Sequence, residues 1–291
     1  MANLIDGKKI AAKVREELRS RIDKLKARGI TPGLGVVLVG DDPASVSYVT
    51  AKERACEELG MFSSETRLPE ETKEKELLSL IESMNRDPRL HGILVQLPLP
   101  RHMDEQKIIM AIDPKKDVDG FHPVNAGKML LGQDCYLPCT PNGILKLLEE
   151  SRVETKGAEV VVLGRSNIVG KPVANLLFRK ANPGNATVTI CHTATRNLKE
   201  HTLRADILIV AAGRAGTVTG DMVKKGAVVI DVGVNRIPDE SRKRGYRLEG
   251  DVDFVSVSEK ASLITPVPGG VGPMTITMLL FNTLAAAEKS V

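Results

Sequence analysis

Short apolar runs alternate with amphipathic helical segments in two blocks of the chain, and this alternation constrains the fold more than any other feature. In the first block, a helical pattern over residues 10–28 precedes an apolar run at 34–39. Further helical patterns end at Gly60 and cover 70–85, before the apolar run in HGILVQLPLP. Apolar runs of this length between helices are typical of strands buried in a parallel sheet. The first block is therefore predicted to form an α/β domain.

The second block repeats the alternation from Thr140 onward. Its pattern predicts helices over 142–151 and 172–180, and strands over 159–163, 187–191, 207–211 and 227–232. Strands that alternate with helices favour a doubly wound parallel sheet of the Rossmann-like kind. A stretch with glycine and proline, DVDGFHPVNAG, separates the two blocks. The sequence thus predicts two α/β domains with a cleft between them.

Composition argues against several classes of partner. At 291 residues the chain is long enough for two domains with separate cores. Lys and Arg total 41 against 37 Asp and Glu, a net charge of +4, and only five Phe, three Tyr and no Trp are available for stacking on bases. The apolar segment 274–287 falls short of the roughly 20 residues that span a bilayer. We expect neither a nucleic-acid partner nor a membrane segment.

The spacing of cysteine and histidine indicates neither disulfides nor a metal. The four cysteines form no paired pattern, and the five histidines form no HxxxH or similar cluster. The first residues, MANLIDGKKIAAKV, contain no apolar signal core. We expect a cytoplasmic protein without a bound metal.

A glycine-containing turn follows the predicted strand 159–163 and has the sequence GRSNIVGKP. It is close to the dinucleotide-binding pattern, although Ser166 replaces the middle glycine and Gly170 comes one residue late. A turn between a strand and a helix directs backbone N–H groups and the positive end of the helix at a phosphate. A tight turn without a ligand is the alternative interpretation.

The end of the next strand favours NADP over NAD. An NAD site usually carries an acidic residue there for the ribose hydroxyls, but TVTIC runs into HTATR, which has no carboxylate. Arg165 in the turn, together with Thr193, offers donors to a ribose phosphate. Arg196 is a further candidate and equally a solvated loop charge.

A lysine with a tyrosine one helical turn before it lies in the first block. Tyr48 and Lys52 share one helix face beyond the carboxyl end of the first strand, where α/β sheets place ligands. A lysine there can transfer protons, whereas the plain alternative is a surface lysine beside a half-buried tyrosine. Gln96 interrupts the apolar strand ILVQLPLP and needs a polar partner if buried, for which Lys52 is suitable.

Two further loops carry candidate ligand contacts. Asp117 and Asp119 lie in KKDVDGFHP, where a carboxylate can accept paired N–H groups from a ring such as a pterin, although loop aspartates more often stabilise turns. The segment ITPVPGGVGPMTI combines proline with glycine, and such a loop can bring bare backbone against a flat ring. Pro273 suits the first turn of the helix that follows.

The motifs together resemble one family along essentially the whole chain, from Asp6 to the last helix. They are YVTAK, VQLPLP, KDVDGFHPVNAGK, PCTPNGI, GRSNIVGKP, VIDVGVNR, GDVDF and ITPVPGGVGPMT. In this order they are similar to the bifunctional methylenetetrahydrofolate dehydrogenase/methenyltetrahydrofolate cyclohydrolase family. The resemblance implies NADP-dependent oxidation of methylene-tetrahydrofolate and hydrolysis of the methenyl product to formyl-tetrahydrofolate, in the one-carbon metabolism that serves purine biosynthesis.

The resemblance also implies residue roles. Lys52 would be catalytic, with Tyr48 and Gln96 orienting it, and Asp119 would bind the pterin. Substrate contacts would come from Tyr48, Lys52, Val95, Gln96, Leu97, Asp119, Pro268, Gly269 and Gly270. Cofactor contacts would come from Gly164, Arg165, Ser166, Thr193, Val234 and Thr275.

We expect residues 1–119 to form the folate-binding domain, with helix 273–291 packing back on it, and residues 120–272 to bind NADP. The resemblance implies a homodimer. Two alternatives remain at this point: a dehydrogenase of the same fold without cyclohydrolase activity, and a regulator that binds a dinucleotide without turnover.

Overall fold

The computed structural model describes residues 1–242 and 245–290. In chain order the elements are β1 (Asn3–Leu4), α1 (Gly7–Lys26), β2 (Gly33–Val39), α2 (Pro43–Leu59), β3 (Phe62–Leu68), α3 (Glu74–Arg86), β4 (Gly92–Val95), α4 (Glu105–Ala111), α5 (Pro123–Leu130), α6 (Cys139–Glu150), β5 (Glu159–Leu163), α7 (Gly170–Phe178), β6 (Thr187–Cys191), α8 (Leu198–Thr202), β7 (Ile207–Val210), β8 (Val228–Asp231), β9 (Asn235–Pro238), β10 (Tyr246–Glu249), α9 (Phe254–Ser258), β11 (Leu263–Ile264) and α10 (Val271–Lys289).

The chain divides into two compact units. The unit that contains Lys52, here the lysine unit, comprises Lys13–Cys139 and Ile276–Val291. The other, here the glycine-turn unit, comprises Met1–Ala12 and Thr140–Thr275. Residues 1–12 group with the glycine-turn unit rather than with the first block, because β1 adds a parallel strand to its sheet.

Residues 120–139 also group differently from the expected boundary at 119/120 and belong to the lysine unit. The Asn282 side chain of the last helix donates to the Val118 and Leu137 carbonyls at 2.8 and 2.9 Å. The bond to Leu137 joins the end of the segment to the last helix, and the bond to Val118 joins the residues just before its start.

The lysine unit is built on a parallel sheet in the order β3-β2-β4. Every residue of the central strand β2 is buried, as its apolar sequence predicts. The next helix, α2, begins where the Asp42 carboxylate accepts from Ser45 N at 2.8 Å, and ends at Gly60 in the left-handed conformation. Helix α2 therefore starts just beyond the carboxyl end of β2.

The glycine-turn unit contains a six-stranded parallel sheet in the order β1-β11-β8-β7-β5-β6. From β5 the chain moves to β6 on one side and then to β7 on the other, so the strand order reverses at the β5 and β7 pair. The doubly wound interpretation of the second block is confirmed. Ligands of such sheets bind beyond the carboxyl ends of the strands at this reversal.

Most strands and helices predicted from the alternation are present. Strands 159–163 and 187–191 have the predicted bounds, and the helix predicted over 142–151 begins three residues earlier. Edge strand β3 was missed because its sequence FSSETRL is polar and only partly buried. Within the described part of the chain, no helix is long and apolar enough to cross a membrane.

Candidate functional site

Lys52 lies on the buried face of α2 and exposes only 7 % of its surface. Its Nζ donates to Gln96 Oε1 at 3.0 Å, which confirms the predicted pairing. The Gln96 amide is held in turn, because Nε2 donates to the Leu97 carbonyl at 2.6 Å and the backbone N to Val37 O at 2.8 Å. Gln96 is placed one residue past β4 rather than within the strand. The lysine therefore faces a fixed amide oxygen at the carboxyl edge of the sheet.

Burial controls the electrostatics around this lysine. Desolvation lowers the pKa of Lys52, while the neighbouring Asp119 carboxyl and Cys139 thiol favour its charged form. Burial raises the pKa of Asp119, opposed by the Lys52 charge and by a hydrogen bond with Cys139. A lysine whose pKa is lowered reaches its uncharged, proton-accepting form at a lower pH than an exposed lysine does.

The backbone brings Asp119 to this place. Ile93 N donates to Lys116 O at 2.8 Å, and Ile93 pairs with Asp117 in a parallel bridge, so the segment 116–119 runs alongside β4. If the same parallel register is continued for two residues along both segments, Asp119 lies opposite Val95. Lys52, Gln96 and Asp119 thus lie together at the carboxyl edge of β2 and β4.

Asp117 has a different task from Asp119. Its carboxylate is buried and accepts from Phe121 N at 3.1 Å, His122 N at 2.9 Å and Asn125 Nδ2 at 2.8 Å. Burial raises its pKa to about 6 despite these donors. Asp117 therefore stabilises the start of α5, as loop aspartates commonly do, and Asp119 is the aspartate beside the lysine.

Tyr48, one helical turn before Lys52, is 36 % exposed. Val95 is buried and Leu97 half-buried beside Gln96. The tyrosine is thus the most accessible of the predicted residues in the lysine unit, and its ring can contact a ligand from solvent.

Cys139 was not predicted to belong to the site. It is buried, its thiol donates to Val118 O at 3.3 Å, and burial raises the thiol pKa well above its ordinary value. It is therefore a neutral group against Asp119. Its spacing carried no signal, since the contact spans 20 residues of chain. Asn282, which bonds the same carbonyl, had a weak signal as a polar residue in an apolar helix.

The glycine turn of the other unit requires its glycines for packing. Gly164 has φ +130°, and a Cβ there would lie 2.2 Å from Ala211 O. A Cβ on Gly170 would lie 2.2 Å from Gly164 O. Ser166 Oγ accepts from Val169 N at 3.1 Å and from Gly170 N at 3.3 Å. This hydroxyl therefore satisfies two backbone N–H groups at the start of α7. The compact turn leaves the side chains of residues 165–168 exposed.

The residues predicted to select NADP follow adjacent strand ends. Leu163 pairs with Cys191, so Arg165 and Thr193 each lie two residues beyond a paired position. Both are exposed, as is Arg196. A tight turn, in which His192 N donates to Thr195 Oγ1 at 2.8 Å, presents Thr193 at its tip. Two exposed donors, with no carboxylate in 192–196, fit a ribose phosphate better than free ribose hydroxyls.

The remaining predicted residues also lie in the glycine-turn unit. Val234 is exposed after β8, and Thr275 Oγ1 lies 2.9 Å from Thr140 Oγ1. In the Pro268–Gly270 loop, Gly269 has φ +112°, and a Cβ on Gly270 would lie 2.7 Å from Pro266 O. Glycine is therefore required at both positions. Among the described residues, no group of three or more His, Cys, Asp or Glu side chains is arranged to hold a metal ion.

The fold and these residues define a class of protein: a two-unit α/β protein whose Rossmann-like unit carries a dinucleotide-type turn, and whose other unit carries a buried lysine. Residues 5–119 match the family model described as the tetrahydrofolate dehydrogenase/cyclohydrolase catalytic domain. Residues 138–291 match the NAD(P)-binding domain of the same family. The chain belongs to the tetrahydrofolate dehydrogenase/cyclohydrolase family.

Known relatives agree over the full length. The chain is 59 % identical to the bifunctional protein FolD of Prosthecochloris aestuarii, covering 99 % of this chain and 98 % of the relative. Among solved structures, the bifunctional FolD enzyme of Campylobacter jejuni matches with a TM-score of 0.94 at 49 % identity, covering 100 % of both chains. The Trypanosoma brucei enzyme, solved with NADP and an inhibitor, matches with a TM-score of 0.94 at 40 % identity, covering 99 % of this chain and 98 % of that one.

Proposed function

We propose that this protein is a bifunctional enzyme of one-carbon folate metabolism. It oxidises methylene-tetrahydrofolate to methenyl-tetrahydrofolate with NADP, and it hydrolyses that product to formyl-tetrahydrofolate. Membership of the family supports both activities, since models of both its domains match. The observation that carries the hydrolytic half is the buried Lys52 ammonium, 3.0 Å from the Gln96 amide oxygen. The comparisons do not favour the alternatives, a dehydrogenase alone or a regulator without turnover.

The glycine-turn unit is assigned to NADP. Gly164 and Ser166 build the turn toward the phosphates, Arg165 and Thr193 are placed for the ribose phosphate, and the exposed Val234 is assigned to a cofactor contact together with Thr275. NADP, when bound, supplies a hydride acceptor. Around it the protein has mainly to align the reacting carbon, because hydride transfer depends on positioning.

Folate recognition is assigned first to Asp119. An ionised carboxylate can accept two N–H groups of the pterin ring, and such charge-assisted bonds are the stronger kind. Tyr48, Val95 and Leu97 supply ring and apolar surface beside it. Further folate contacts are assigned by the resemblance to Pro268, Gly269 and Gly270.

Hydrolysis is assigned to Lys52. The oxygen of water bonds to the methenyl carbon, and the uncharged lysine amine accepts a proton from that water. When one carbon–nitrogen bond of the bridge then breaks, the ammonium can return a proton to the departing nitrogen, and one proton is released to solvent. Gln96 holds the lysine during both transfers, and the lowered pKa of Lys52 makes its uncharged form accessible.

A cytoplasmic location and a homodimeric state are also proposed. The four free cysteines of the described chain suit a reducing compartment. Sedimentation of the purified protein tests the dimer, and a single species at the mass of one chain would contradict it.

One assay with purified protein tests the main proposal. NADPH formation and methenyl-tetrahydrofolate decay are followed separately, by absorbance, from methylene-tetrahydrofolate and from methenyl-tetrahydrofolate as starting substrates. We expect both signals. NADPH formation with no acceleration of methenyl decay would leave only a dehydrogenase, and absence of both would overturn the proposal.

A further inference from the structure

Two buried aspartates of the glycine-turn unit have no assigned role. Asp231 ends β8 and is 4 % exposed, and Asp251 follows β10 and is 0 % exposed. We call them the carboxylate pair. Aspartate is rarely buried this fully unless it is well paired, so the partners of each oxygen indicate what the pair does.

Asp251 holds the segment that follows β7. Its Oδ2 accepts from Ala212 N and Gly213 N, both at 2.7 Å. Its Oδ1 accepts from Asn235 Nδ2 at 2.9 Å. One side chain thus fixes two consecutive backbone amides beyond a strand end and links them to the first residue of β9.

Asp231 holds the segment that follows β8. Its Oδ1 accepts from Gly233 N at 3.0 Å and from Asp251 N at 2.9 Å, and its Oδ2 from Val252 N at 3.1 Å. Its own backbone N donates to the buried Thr265 Oγ1 at 2.8 Å. Asp231 therefore ties the residue before Val234 to the backbone of residue 251 and to the start of the 265–270 segment.

The surrounding backbone leaves no space for other side chains. A Cβ on Gly233 would lie 2.2 Å from the Asp251 carboxyl carbon, and a Cβ on Gly250 would lie 1.8 Å from Asp231 Oδ2. Real Cβ atoms essentially never make contacts this short, so both positions require glycine. The pair is therefore enclosed by main chain and has one arrangement.

The carboxylate pair lies close to the edge of the sheet at which the strand order reverses. Val210 pairs with Asp231, and β7 is the neighbour of β5, where the strand order reverses. The segments 211–213 and 232–234 therefore leave the carboxyl ends of two adjacent strands next to the glycine turn. Dinucleotides bind along this edge.

We propose that Asp231 and Asp251 are positioning residues for the dinucleotide: through three backbone amides they hold segments 211–213 and 232–234 in the conformation that receives NADP, and through two more Asp231 holds the backbone of Asp251 itself and of Val252. This inference rests on the proposed function. Carboxylates suit the task because both of their oxygens accept hydrogen bonds. In a side-chain amide, one of these positions is an NH2 group, which is itself a donor and cannot accept from a backbone N–H. Burial raises the pKa of Asp231 to about 6, which means that desolvation penalises the charged carboxylate. The backbone N–H groups of Gly233, Asp251 and Val252 oppose this shift.

The test is Asp251→Asn in the full-length enzyme. One of the three donors on Asp251 then faces an NH2 group, and we expect the dissociation constant for NADP, measured by calorimetry, to rise about tenfold, since a lost charge-assisted bond costs about 1.5 kcal/mol or more. The KM for NADP should rise with it. The rate of methenyl hydrolysis at saturating substrate should not change, because the residues assigned to that step are Lys52 and Gln96. Asp253→Asn, an exposed aspartate two residues away, is the matched control.

Each other outcome counts against the inference. A folded Asp251→Asn protein with wild-type affinity for NADP would overturn it, and equal loss of hydrolysis and NADP binding would show a merely structural role. If Asp251→Asn does not fold, Asn235→Ala decides, because it removes one donor and leaves both carboxylates: weaker NADP binding supports the inference and unchanged binding overturns it. Wild-type protein that fails to reduce NADP would instead refute the proposed function.

Discussion

The Lys52 region and the glycine-turn region both lie at carboxyl ends of parallel strands, yet they are built in opposite ways. In the Lys52 region the lysine is buried and bonded to Gln96, and the pKa values of Lys52 and its neighbour Asp119 are both shifted. Around Gly164 the backbone is tightly packed, whereas Arg165 and Thr193 are exposed.

This difference follows from the two tasks. Proton transfer by a lysine below its ordinary pKa requires that the charged form be penalised, and for Lys52 removal from water provides that penalty. Recognition of a phosphate requires hydrogen-bond donors that are not already bonded within the protein. Such donors stay hydrated until the ligand binds. The comparison predicts that substitutions at Lys52 alter the chemistry, while substitutions at Arg165 alter only the choice of ligand.

The largest effect is expected for Lys52→Met. The variant keeps the packing and removes the proton carrier, so hydrolysis should fall by about 100-fold or more, the scale of general acid–base catalysis. Part of the NADP reduction should survive, because it depends on alignment.

Lys116→Met is the matched control for Lys52→Met. Burial also lowers the pKa of Lys116, but its ammonium donates to Met84 O at 3.1 Å and Asp87 O at 2.7 Å at the end of α3. This variant should lower thermal stability and leave hydrolysis unchanged. Wild-type hydrolysis in Lys52→Met would remove that lysine from the mechanism.

The pH dependence of hydrolysis sharpens the same comparison. Because burial lowers the pKa of Lys52, its uncharged form appears at a lower pH than for an exposed lysine. The rate should rise about tenfold per pH unit below that pKa and level off above it. The free energy of unfolding should also rise with pH between the lowered and the ordinary lysine pKa, because the unfolded chain binds the extra proton. A flat rate profile would contradict the assignment of Lys52 as base.

Asp119→Asn should raise the KM for folate by about tenfold or more, because an amide cannot accept two N–H groups and a charge-assisted pair worth about 1.5 to 3 kcal/mol is lost. The KM for NADP should stay the same. Asp117→Asn provides the contrast, since it weakens three bonds at the start of α5 and should lower the melting temperature instead. Equal loss of both ligands in Asp119→Asn would indicate a structural turn.

The smallest effect is expected for Arg165→Ala. Its guanidinium is exposed, so loss of the cation should lower the preference for NADP over NAD by about tenfold or less. Use of NADP should fall without a gain in use of NAD, because residues 192–196 contain no carboxylate for the ribose hydroxyls. Lys171→Ala, which removes another exposed cation after the same turn, is the control. An unchanged cofactor ratio would point to Arg196.

The pairing of Lys52 with Gln96 could be predicted although 44 residues of chain separate the two. A polar residue that interrupts an apolar run must find a partner, and both residues follow predicted parallel strands, whose carboxyl ends meet at one edge of a sheet. Cys139 could not be predicted in this way. Its contact with Asp119 depends on how residues 119–139 return to the same place, and no periodicity encodes that path.

The sequence by itself determined the alternation of strands and helices, the two α/β domains, the family, and most residues now assigned to folate and NADP. These features depend on local patterns of burial, on turn chemistry and on motifs in order. The tertiary structure alone decided that Asp117 holds the start of α5, that residues 1–12 join the glycine-turn unit, and that Asp231 and Asp251 bind five backbone amides. Such roles arise from burial and hydrogen bonds between segments distant in the chain, so they exist only once the chain is folded.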